Sequence, residues 1–315
     1  MSSPAAALHP ELAALCAAAL GEEPVALVPL AGGAYNTTYA VTLRTRQLVL
    51  RIAPAEESQY ACERHLLRNG TAALAVLPEL GVATPTVVLA DFSGSRWPCD
   101  LVFEEVVPGE PAPTVLPRHE RALWRGYYRQ LGEVARSLHA RTGPAFGRVD
   151  GPRFDRWSDA FLTSLAATVA DLGSVGLPTD DLDAVLELGG EERELFDEVT
   201  VPRLVHGDLW NVNVMLDPDA PQPRITGVFD FDRACWADPE AEWSLYMASR
   251  RPGTERDAFW ETYPPDPSPA AARRRCFYTA SFAAQVRLEA HRRDLPEALE
   301  ASRDEVRAVL EALRR

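Results

Sequence analysis

The sequence places oxygen-bearing side chains at the two ends of a predicted β-hairpin. Residues 214–216 and 224–229 have the apolar character of short strands, and the turn-forming cluster between them is rich in Asp and Pro. Asn213 precedes the first strand and Asp230 follows the second, so we expect the amide oxygen and the carboxylate to converge. Mg²⁺ takes oxygen ligands, and it keeps few of them from protein when phosphates supply the rest. The pair therefore indicates a site for a phosphate-bound magnesium ion.

A second carboxylate, that of Asp208, stands where it could serve as a base. Asp208 lies five residues before Asn213, on the segment that enters the hairpin. There it could accept a proton from a substrate hydroxyl that faces a metal-bound phosphate. An Asp-x-x-x-x-Asn spacing followed by an Asp at a strand end is the arrangement that phosphoryl transfer needs. For the spacing alone, turn and capping roles for Asp208 and Asn213 are the alternative.

The composition excludes several classes of protein. The chain has 315 residues, 46% of them hydrophobic and 25% charged, which is ordinary for a globular protein with a substantial core. Its 32 basic residues are all arginine and its acidic residues number 46, so the formal net charge of -14 argues against nucleic-acid binding. The absence of lysine excludes a Schiff-base mechanism. An acidic surface suits a cationic small molecule, although solubility alone also accounts for it.

The cysteine pattern predicts the cellular compartment, and the absence of long apolar runs predicts that the chain does not span a membrane. The cysteines are Cys16, Cys62, Cys99, Cys235 and Cys276. They are too far apart for a zinc-type pair and their number is odd, so we predict single thiols in a reducing cytoplasm. No apolar run reaches about 18 residues, so we expect no membrane span and no membrane partner.

The chain divides into a strand-rich part and a helix-rich part. Strands are predicted at Val25–Leu30, Thr37–Leu43, Gln47–Ile52, Thr84–Ala90 and Asp100–Val106. Helices are predicted at 8–20, 57–68, 72–80, 118–140, 157–171, 190–199, 239–248, 268–291 and 296–314. A PGEP run beginning at Pro108 punctuates the chain. We therefore predict an N-terminal lobe at 1–107 and a C-terminal lobe at 108–315.

Two segments resemble the aminoglycoside phosphotransferase family of kinase-like enzymes. They are HGDLW at residues 206–210, continued to Asn213, and GVFD at residues 227–230. The resemblance extends over most of the chain and implies an α+β, protein-kinase-like fold of two lobes. One lobe would be a small antiparallel sheet and the other mainly helical, with ATP and Mg²⁺ between them. By this resemblance Asp208 is the catalytic base, and Asn213 and Asp230 bind the metal.

The predicted N-terminal lobe carries further parts of the resemblance. Residues 30–41 (LAGGAYNTTYAV) are similar to the hairpin that covers the nucleotide, where Gly32 and Gly33 would let backbone N–H groups approach phosphate. LVLRIAP is similar to the strand that carries the phosphate-contacting base, which is Arg51 here. Glu63, on the next predicted helix, is the best match to the acid that pairs with that base.

The last strand of the predicted N-terminal lobe is similar to the hinge that joins the two lobes in this family. If so, backbone groups near Glu104 and Val106 would meet the base of the nucleotide. Contacts of that kind depend little on side chains. The resemblance therefore implies an ATP site there, and GTP is the alternative nucleotide.

Several other polar residues are interpreted as supports. His206 is expected to hold the Asp208 loop by hydrogen bonding, and His139 to be packed in the core. The DPEAE segment beginning at Asp238 resembles the family's Asp-Pro-x-x-Asp, with Glu242 in place of the usual Asp. We interpret these two acids as loop and helix-cap supports, with a substrate-facing role as the alternative. Asp232 is a candidate supporting acid that could equally face solvent.

The length of the segment after the hairpin favours a small acceptor. Gly207 stands where a protein kinase switched by loop phosphorylation would carry arginine. Seven residues separate Asp230 from Asp238, which is too short a segment to dock a polypeptide. We therefore expect an ATP- and magnesium-dependent O-phosphotransferase acting on a small molecule.

The acceptor itself is not specified by any motif. The excess of acidic residues favours a cationic antibiotic or related natural product, as for a resistance kinase. A metabolic kinase of the fructosamine, homoserine or choline type is the first alternative. A catalytically inactive kinase fold that only binds its ligand is the second.

Overall fold

The structure, a computed structural model, describes residues 10–30 and 35–315 of the chain. Gly32 and Gly33, the glycines predicted to approach nucleotide phosphates, lie outside the described residues. Within the described residues, no helix combines the length and the apolar character that crossing a bilayer requires.

The described residues form eleven strands and eleven helices. The strands are β1 (Ala26–Pro29), β2 (Thr37–Thr42), β3 (Gln47–Ile52), β4 (Val87–Asp91), β5 (Leu101–Glu105), β6 (Glu110–Pro111), β7 (Gly147–Arg148), β8 (Arg203–Val205), β9 (Val214–Leu216), β10 (Ile225–Val228) and β11 (Cys235–Ala237). The helices are α1 (Pro10–Leu20), α2 (Leu66–Leu74), α3 (Ala112–Val115), α4 (Trp124–Ala140), α5 (Trp157–Ser174), α6 (Asp180–Glu191), α7 (Arg193–Asp197), α8 (Trp243–Ser249), α9 (Phe259–Thr262), α10 (Pro269–Arg292) and α11 (Pro296–Leu313).

The first five strands form one antiparallel sheet in the order β1-β2-β3-β5-β4. On β3, Leu48, Leu50 and Ile52 are buried and pack in a core with apolar residues of α1. Successive side chains of a strand point to opposite faces, so Arg51 points away from that core. The same alternation predicts the five strands to within three residues at each end. The sheet thus confirms the expected small antiparallel part of an α+β fold.

From α3 onward the described chain is mainly helical. Helices α5, α6, α10 and α11 enclose a core in which Phe196, Phe277 and Tyr278 are fully or almost fully buried. The sequence does not predict α6. An ion pair between the buried Arg287 and the half-buried Asp181 links α10 to this helix, with Nη2 and Oδ2 2.6 Å apart. Helix α10 contacts the 3-10 turn Pro239–Ala241 that precedes α8, whereas the apolar residues of the hairpin pack in a second core with α4.

The predicted hairpin between β9 and β10 is confirmed. The two strands pair antiparallel with Val214 opposite Val228, and β6 adds a third strand beside β9. The backbone of Ala83 bonds to the other edge, because its N–H donates to the Thr226 carbonyl (2.9 Å) and its carbonyl accepts from the Val228 N–H (3.0 Å). The hairpin is therefore held on both sides, which fixes the positions of the residues at its two ends.

The helices predicted at 57–68 and 72–80 are wrong. A 3-10 turn at Ala61–Glu63 occupies part of the first, and α2 begins only after it and ends before most of the second. The Asp171 carboxylate on α5 accepts hydrogen bonds from the first two backbone N–H groups of that turn, at 2.9 and 2.8 Å. This contact with a distant helix, which local periodicity does not report, fixes the conformation of the turn.

Candidate active site

Asp208 and Asn213 lie on the loop between β8 and β9 and are hydrogen-bonded to each other. The Asn213 amide Nδ2 donates to Asp208 Oδ2 at 2.9 Å and to the Asp208 carbonyl oxygen at 2.8 Å. The backbone N–H of Phe229 donates to the Asn213 carbonyl at 3.1 Å, so the next residue, Asp230, leaves β10 beside Asn213. The structure thus brings together the three residues that the hairpin was expected to assemble.

The Asp208 carboxyl has an unusual affinity for protons. Burial raises its pKa most and the negative charge of Asp230 raises it further, to about 8, against the lowering effects of Arg233 and of the Asn213 hydrogen bond. A carboxylate with a pKa near neutrality is suited to general-base work. Because Asn213 binds Oδ2, Oδ1 is the oxygen that remains for a substrate hydroxyl. Burial and the charge of Asp230 thus make Asp208 bind a proton more readily than an exposed aspartate does.

His206 supports the loop in the way the sequence suggests. Its Nε2 lies 3.1 Å from the Phe229 carbonyl oxygen, and its Nδ1 lies 3.3 Å from the backbone nitrogen of Asp208. A carbonyl can only accept, so we assign the proton to Nε2 and let Nδ1 accept from the Asp208 N–H. Burial lowers the pKa of His206, which agrees with a neutral ring. The ring therefore ties the Asp208 loop to the end of β10.

Two backbone conformations shape the site. Gly207 has a φ of +77°, and an added Cβ would lie 2.4 Å from the Arg233 carbonyl oxygen. Only glycine fits both the left-handed backbone and this close approach. Asp230 also has a left-handed backbone, with a φ of +67°. Asp and Asn tolerate that conformation better than most residues, so the site accepts few residue types at position 230.

The buried carboxylate of Glu242 holds the backbone that carries Asp208. Its Oε2 accepts from the N–H of His206 at 2.7 Å, and its Oε1 accepts from the N–H groups of Gly207 (3.2 Å) and Trp243 (2.8 Å). His139 Nε2 lies 3.4 Å from Oε2. Burial alone would raise the pKa of Glu242, but hydrogen bonds from His139 and the His206 N–H outweigh it and lower the pKa. Glu242 is thus both a loop support and the N-cap of α8.

Asp238 also acts within the protein rather than toward a substrate. Its Oδ1 accepts from the N–H of Glu240 at 3.0 Å, and its Oδ2 accepts from Arg274 Nε (2.9 Å) and the Tyr278 hydroxyl (2.8 Å). The Tyr278 oxygen in turn accepts from Trp157 Nε1 at 2.7 Å. This buried network joins the segment before α8 to α10 and α5, as expected for a supporting acid.

Arg51 projects from β3 into a group of three carboxylates. Its Nη1 and Nη2 contact Asp232 Oδ1 and Oδ2 at 3.0 and 2.7 Å, and Nη2 also lies 2.8 Å from Asp230 Oδ1. Glu104 Oε1 is 3.8 Å from Nη1. Burial alone would lower the pKa of Arg51, but the three carboxylates raise it above its ordinary value. The sequence identifies Asp232 only as a supporting acid, and no local pattern indicates that it faces Arg51.

The predicted pairing of Glu63 with Arg51 is wrong. Glu63 lies on the 3-10 turn that precedes α2, and its carboxylate binds Arg292 at the end of α10 through both oxygens. Arg233 Nη2 lies 3.7 Å from Glu63 Oε1. Asp171 fixes the backbone of this turn against α5, and the Glu63 carboxylate then meets Arg292 at the end of α10. Glu63 thus links the strand-rich part of the chain to α10.

The residues predicted to meet the nucleotide base lie at the end of β5. The Glu104 side chain is buried and faces Arg51. Val106 follows the strand, and 44% of its surface is exposed. The contact of these backbone groups with a nucleotide base stays a prediction.

The donor atoms beside Asp208 fit a magnesium ion. Asn213 uses its amide nitrogen to bind Asp208, which leaves its oxygen Oδ1 for a cation, and Asp230 binds Arg51 through Oδ1, which leaves Oδ2. Among residues 10–30 and 35–315, no cluster of three or more His, Cys, Asp or Glu side chains is arranged to hold a metal. Two hard oxygen donors without a complete protein cage suit an ion that takes its remaining ligands from phosphates and water.

Replacement of Glu242 by Gln tests the support of the loop. We expect Glu242→Gln to lower the free energy of unfolding by about 3 kcal/mol at pH 7. The reason is that an amide has one accepting oxygen and cannot accept from the N–H groups of His206, Gly207 and Trp243 together. Because folding lowers the pKa of Glu242, its stabilising effect is present above the ordinary carboxyl pKa and is lost as the pH falls. The difference in free energy of unfolding between the wild-type protein and Glu242→Gln should therefore shrink below a pH of about 4. Urea denaturation over a pH series measures both effects.

Glu289→Gln is the matched control, because Glu289 is an exposed residue of α10 that pairs with its helical neighbour Arg293. We expect a change of less than about 0.5 kcal/mol. Equal effects of the two substitutions would show that Glu242 does not support the loop.

Known structures share this architecture. An aminoglycoside phosphotransferase, APH(4)-Ia in a thermostable mutant form, superposes with a TM-score of 0.69 at 16% identity over 95% of this chain and 98% of that chain. A protein of Haemophilus somnus 129PT, provisionally named a fructosamine-3-kinase, gives 0.66 at 13% identity over 95% and 96% of the two chains. The GDP complex of an aminoglycoside 2'-phosphotransferase-IIIa mutant gives 0.61 at 18% identity over 97% and 99%. At these identities the likeness confirms the two-lobe, kinase-like α+β fold.

The sequence comparison identifies the family. No curated protein matches the chain. The sequence profile described as the phosphotransferase enzyme family matches residues 26–276, which is well over half of the chain. The protein therefore belongs to this family, and it is a small-molecule phosphotransferase with an alcohol group as acceptor.

Proposed function

We propose that the protein transfers the γ-phosphoryl group of ATP to a hydroxyl group of a small molecule, with Asp208 as the base. The observation that carries the proposal is the hydrogen-bonded pair of Asp208 and Asn213, placed beside Asp230 by the hairpin. Asp208 Oδ1 accepts the proton of the acceptor hydroxyl as the new oxygen–phosphorus bond forms and the bond to ADP breaks. Fixing the base in this way supplies orientation, which lowers the barrier without covalent chemistry from the protein.

Asn213 and Asp230 are the proposed magnesium ligands. Their free oxygens, Asn213 Oδ1 and Asp230 Oδ2, are hard donors of the type that Mg²⁺ prefers. When bound, the ion would neutralise charge on the phosphate oxygens. The second bond of the Asn213 amide, to the Asp208 carbonyl, holds the metal ligand and the base in one unit.

The strand-rich part of the chain, within the proposed lobe 1–107, would supply the nucleotide contacts. Arg51 contacts phosphate oxygens from β3, and the backbone near Glu104 and Val106 meets the base of the nucleotide. Gly32 and Gly33 are proposed to approach the phosphates. The lobe 108–315 would hold the acceptor. GTP is the alternative donor.

We propose a cationic antibiotic or related natural product as the acceptor, in a resistance role in the cytoplasm. The formal net charge of -14 supports this class, and so does the ternary complex of the APH(4)-Ia mutant with AMP-PNP and hygromycin B. All five cysteines are free thiols, which supports a reducing compartment. A metabolite of the fructosamine, homoserine or choline type is the first alternative acceptor, and a catalytically inactive fold that only binds its ligand is the second.

Release of ADP from Mg·ATP across a panel of acceptors tests the function, with Asp208→Asn as the diagnostic variant. The panel covers aminoglycosides, cyclic peptides, macrolides, nucleoside antibiotics, fructosamines, homoserine and choline. With the active acceptor, we expect Asp208→Asn to lower kcat by about a thousandfold, because the base is lost, while the affinity for nucleotide stays within about twofold.

Asp217→Asn serves as the control, because Asp217 is an acid on the turn of the same hairpin and pairs with Arg224. This variant should keep full turnover. Full turnover by Asp208→Asn would instead reject the assignment of the base. Release only with fructosamines, homoserine or choline would replace the resistance role by a metabolic one.

Asp230→Asn tests the proposed metal ligand, and the amide tolerates the left-handed backbone of this position. We expect the affinity for ATP with Mg²⁺ to fall at least about tenfold, since a charged ligand is lost. The affinity for ATP in EDTA should not fall, because the metal then makes no contribution. Calorimetric titration under both conditions measures the difference, and an equal loss in EDTA would contradict the assignment.

A further inference from the structure

Helix α2 packs against the 3-10 turn Phe231–Arg233 but supplies no acid to Arg51. Its sequence, LLRNGTAAL, contains neither Asp nor Glu. A Cβ added to Gly70 would come within 2.4 Å of Asp232 Oδ1, so the glycine makes room for this carboxylate. Asn69 Nδ2 donates to the carbonyl oxygens of Asp232 and Ala234, both at 2.8 Å. The helix thus accommodates and fixes an acid that comes from elsewhere in the chain.

Asp232 meets the requirements for orienting Arg51. Its carboxylate is 7% exposed and makes two bonds to the guanidinium, and the side chain of Asn36 donates to Oδ2 at 2.9 Å. A two-bond contact fixes the plane of a guanidinium as well as its position. Glu63, by contrast, is bound to Arg292.

We propose that Asp232 is the positioning residue that orients Arg51 toward the nucleotide phosphates, a role that the resemblance assigns to an acid on the element after β3. The inference rests on the proposed function, because it requires that Arg51 contacts phosphate. Asp230 binds the guanidinium through one oxygen and offers the other to the proposed metal ion, whereas both oxygens of Asp232 bind the guanidinium. Asp232 therefore fixes the orientation of Arg51 while Asp230 is shared with the metal.

Because Asp232 comes from the turn after β10, nucleotide binding is linked to the arrangement of the five-stranded sheet and the hairpin. Arg51 is on β3 of the five-stranded sheet, and Asp232 follows β10, the second strand of the hairpin. Separation of the sheet from the hairpin would break the pair and leave Arg51 without its main partner. The phosphate-contacting side chain is thus in place only when the sheet and the hairpin are together, and nucleotide binding favours that state.

The affinity for a non-hydrolysable ATP analogue with Mg²⁺, measured by calorimetry, tests the role of Asp232. We expect Asp232→Asn to weaken binding at least tenfold. Glu63→Gln, which removes the acid that the sequence suggested, should change the affinity less than twofold. Equal losses for the two variants would overturn the proposal.

A double-mutant cycle separates positioning from general support. In an Arg51→Gln background, Asp232→Asn should weaken binding less than twofold further, because Asp232 acts through Arg51. The same loss in both backgrounds would mean a structural role and would overturn the inference. The same cycle on the free energy of unfolding, without nucleotide, should show coupling between the two residues. Additive effects there would also overturn it.

If Asp232→Asn does not fold, a second variant still tests the inference. Gly70→Ala displaces the Asp232 carboxylate without removing its charge, and it should weaken nucleotide binding at least threefold. Unchanged affinity of this variant would overturn the inference. If the wild-type protein binds the analogue while Asp232→Asn binds it equally well, the inference alone fails. If the wild-type protein binds no nucleotide, the proposed function fails and the inference with it.

Discussion

The buried positive charge of Arg51 requires a counter-charge, and the chain supplies it from a different part of the fold. A guanidinium taken out of water without a partner costs several kcal/mol, so β3 and the turn after β10 are constrained to stay together. Asn36, Asn69 and Gly70 all serve this one contact, by donating to Asp232, by holding its backbone or by leaving space for it. This ion pair therefore helps to hold the sheet against the hairpin, together with the backbone bonds of Ala83 and the contact of Arg51 with Asp230, and it positions the Arg51 side of the site.

A second buried acid determines the other half of the site. Glu242 accepts hydrogen bonds from the backbone N–H groups at the start of the Asp208 loop. The His206 side chain bonds the same loop to the end of β10. The backbone N–H groups of His206, Gly207, Asp208 and Asn213 all have hydrogen-bond partners within the protein. Such a loop needs little reorganisation when substrate binds, and this rigidity is what orientation-based catalysis requires. Because Glu242 also caps α8, the same carboxylate fixes the direction in which the chain leaves the site.

The sequence predicts features that depend on neighbours along the chain and misses those that depend on distant contacts. The convergence of Asn213 and Asp230 follows from hairpin pairing, and the strands of the sheet follow from alternation, so both are predictable. The pairing of Glu63 with Arg51 is wrong because Asp171, more than one hundred residues away, turns the Glu63 segment toward α10. The contact between Asp232 and Arg51 spans 181 residues and leaves no periodic signal. The sequence of α2 contains no Asp or Glu. This is the one sign that the acid paired with Arg51 comes from another element.

The absence of lysine has a consequence for chemical labelling of the protein. Many covalent probes of nucleotide sites acylate a lysine amine near the phosphates, and this chain has none. The corresponding side chain here is a guanidinium that its carboxylate neighbours keep protonated, so it is a poor nucleophile toward acyl donors. Profiling with lysine-directed acyl-nucleotide reagents would therefore overlook this protein even in an extract where it is abundant and active.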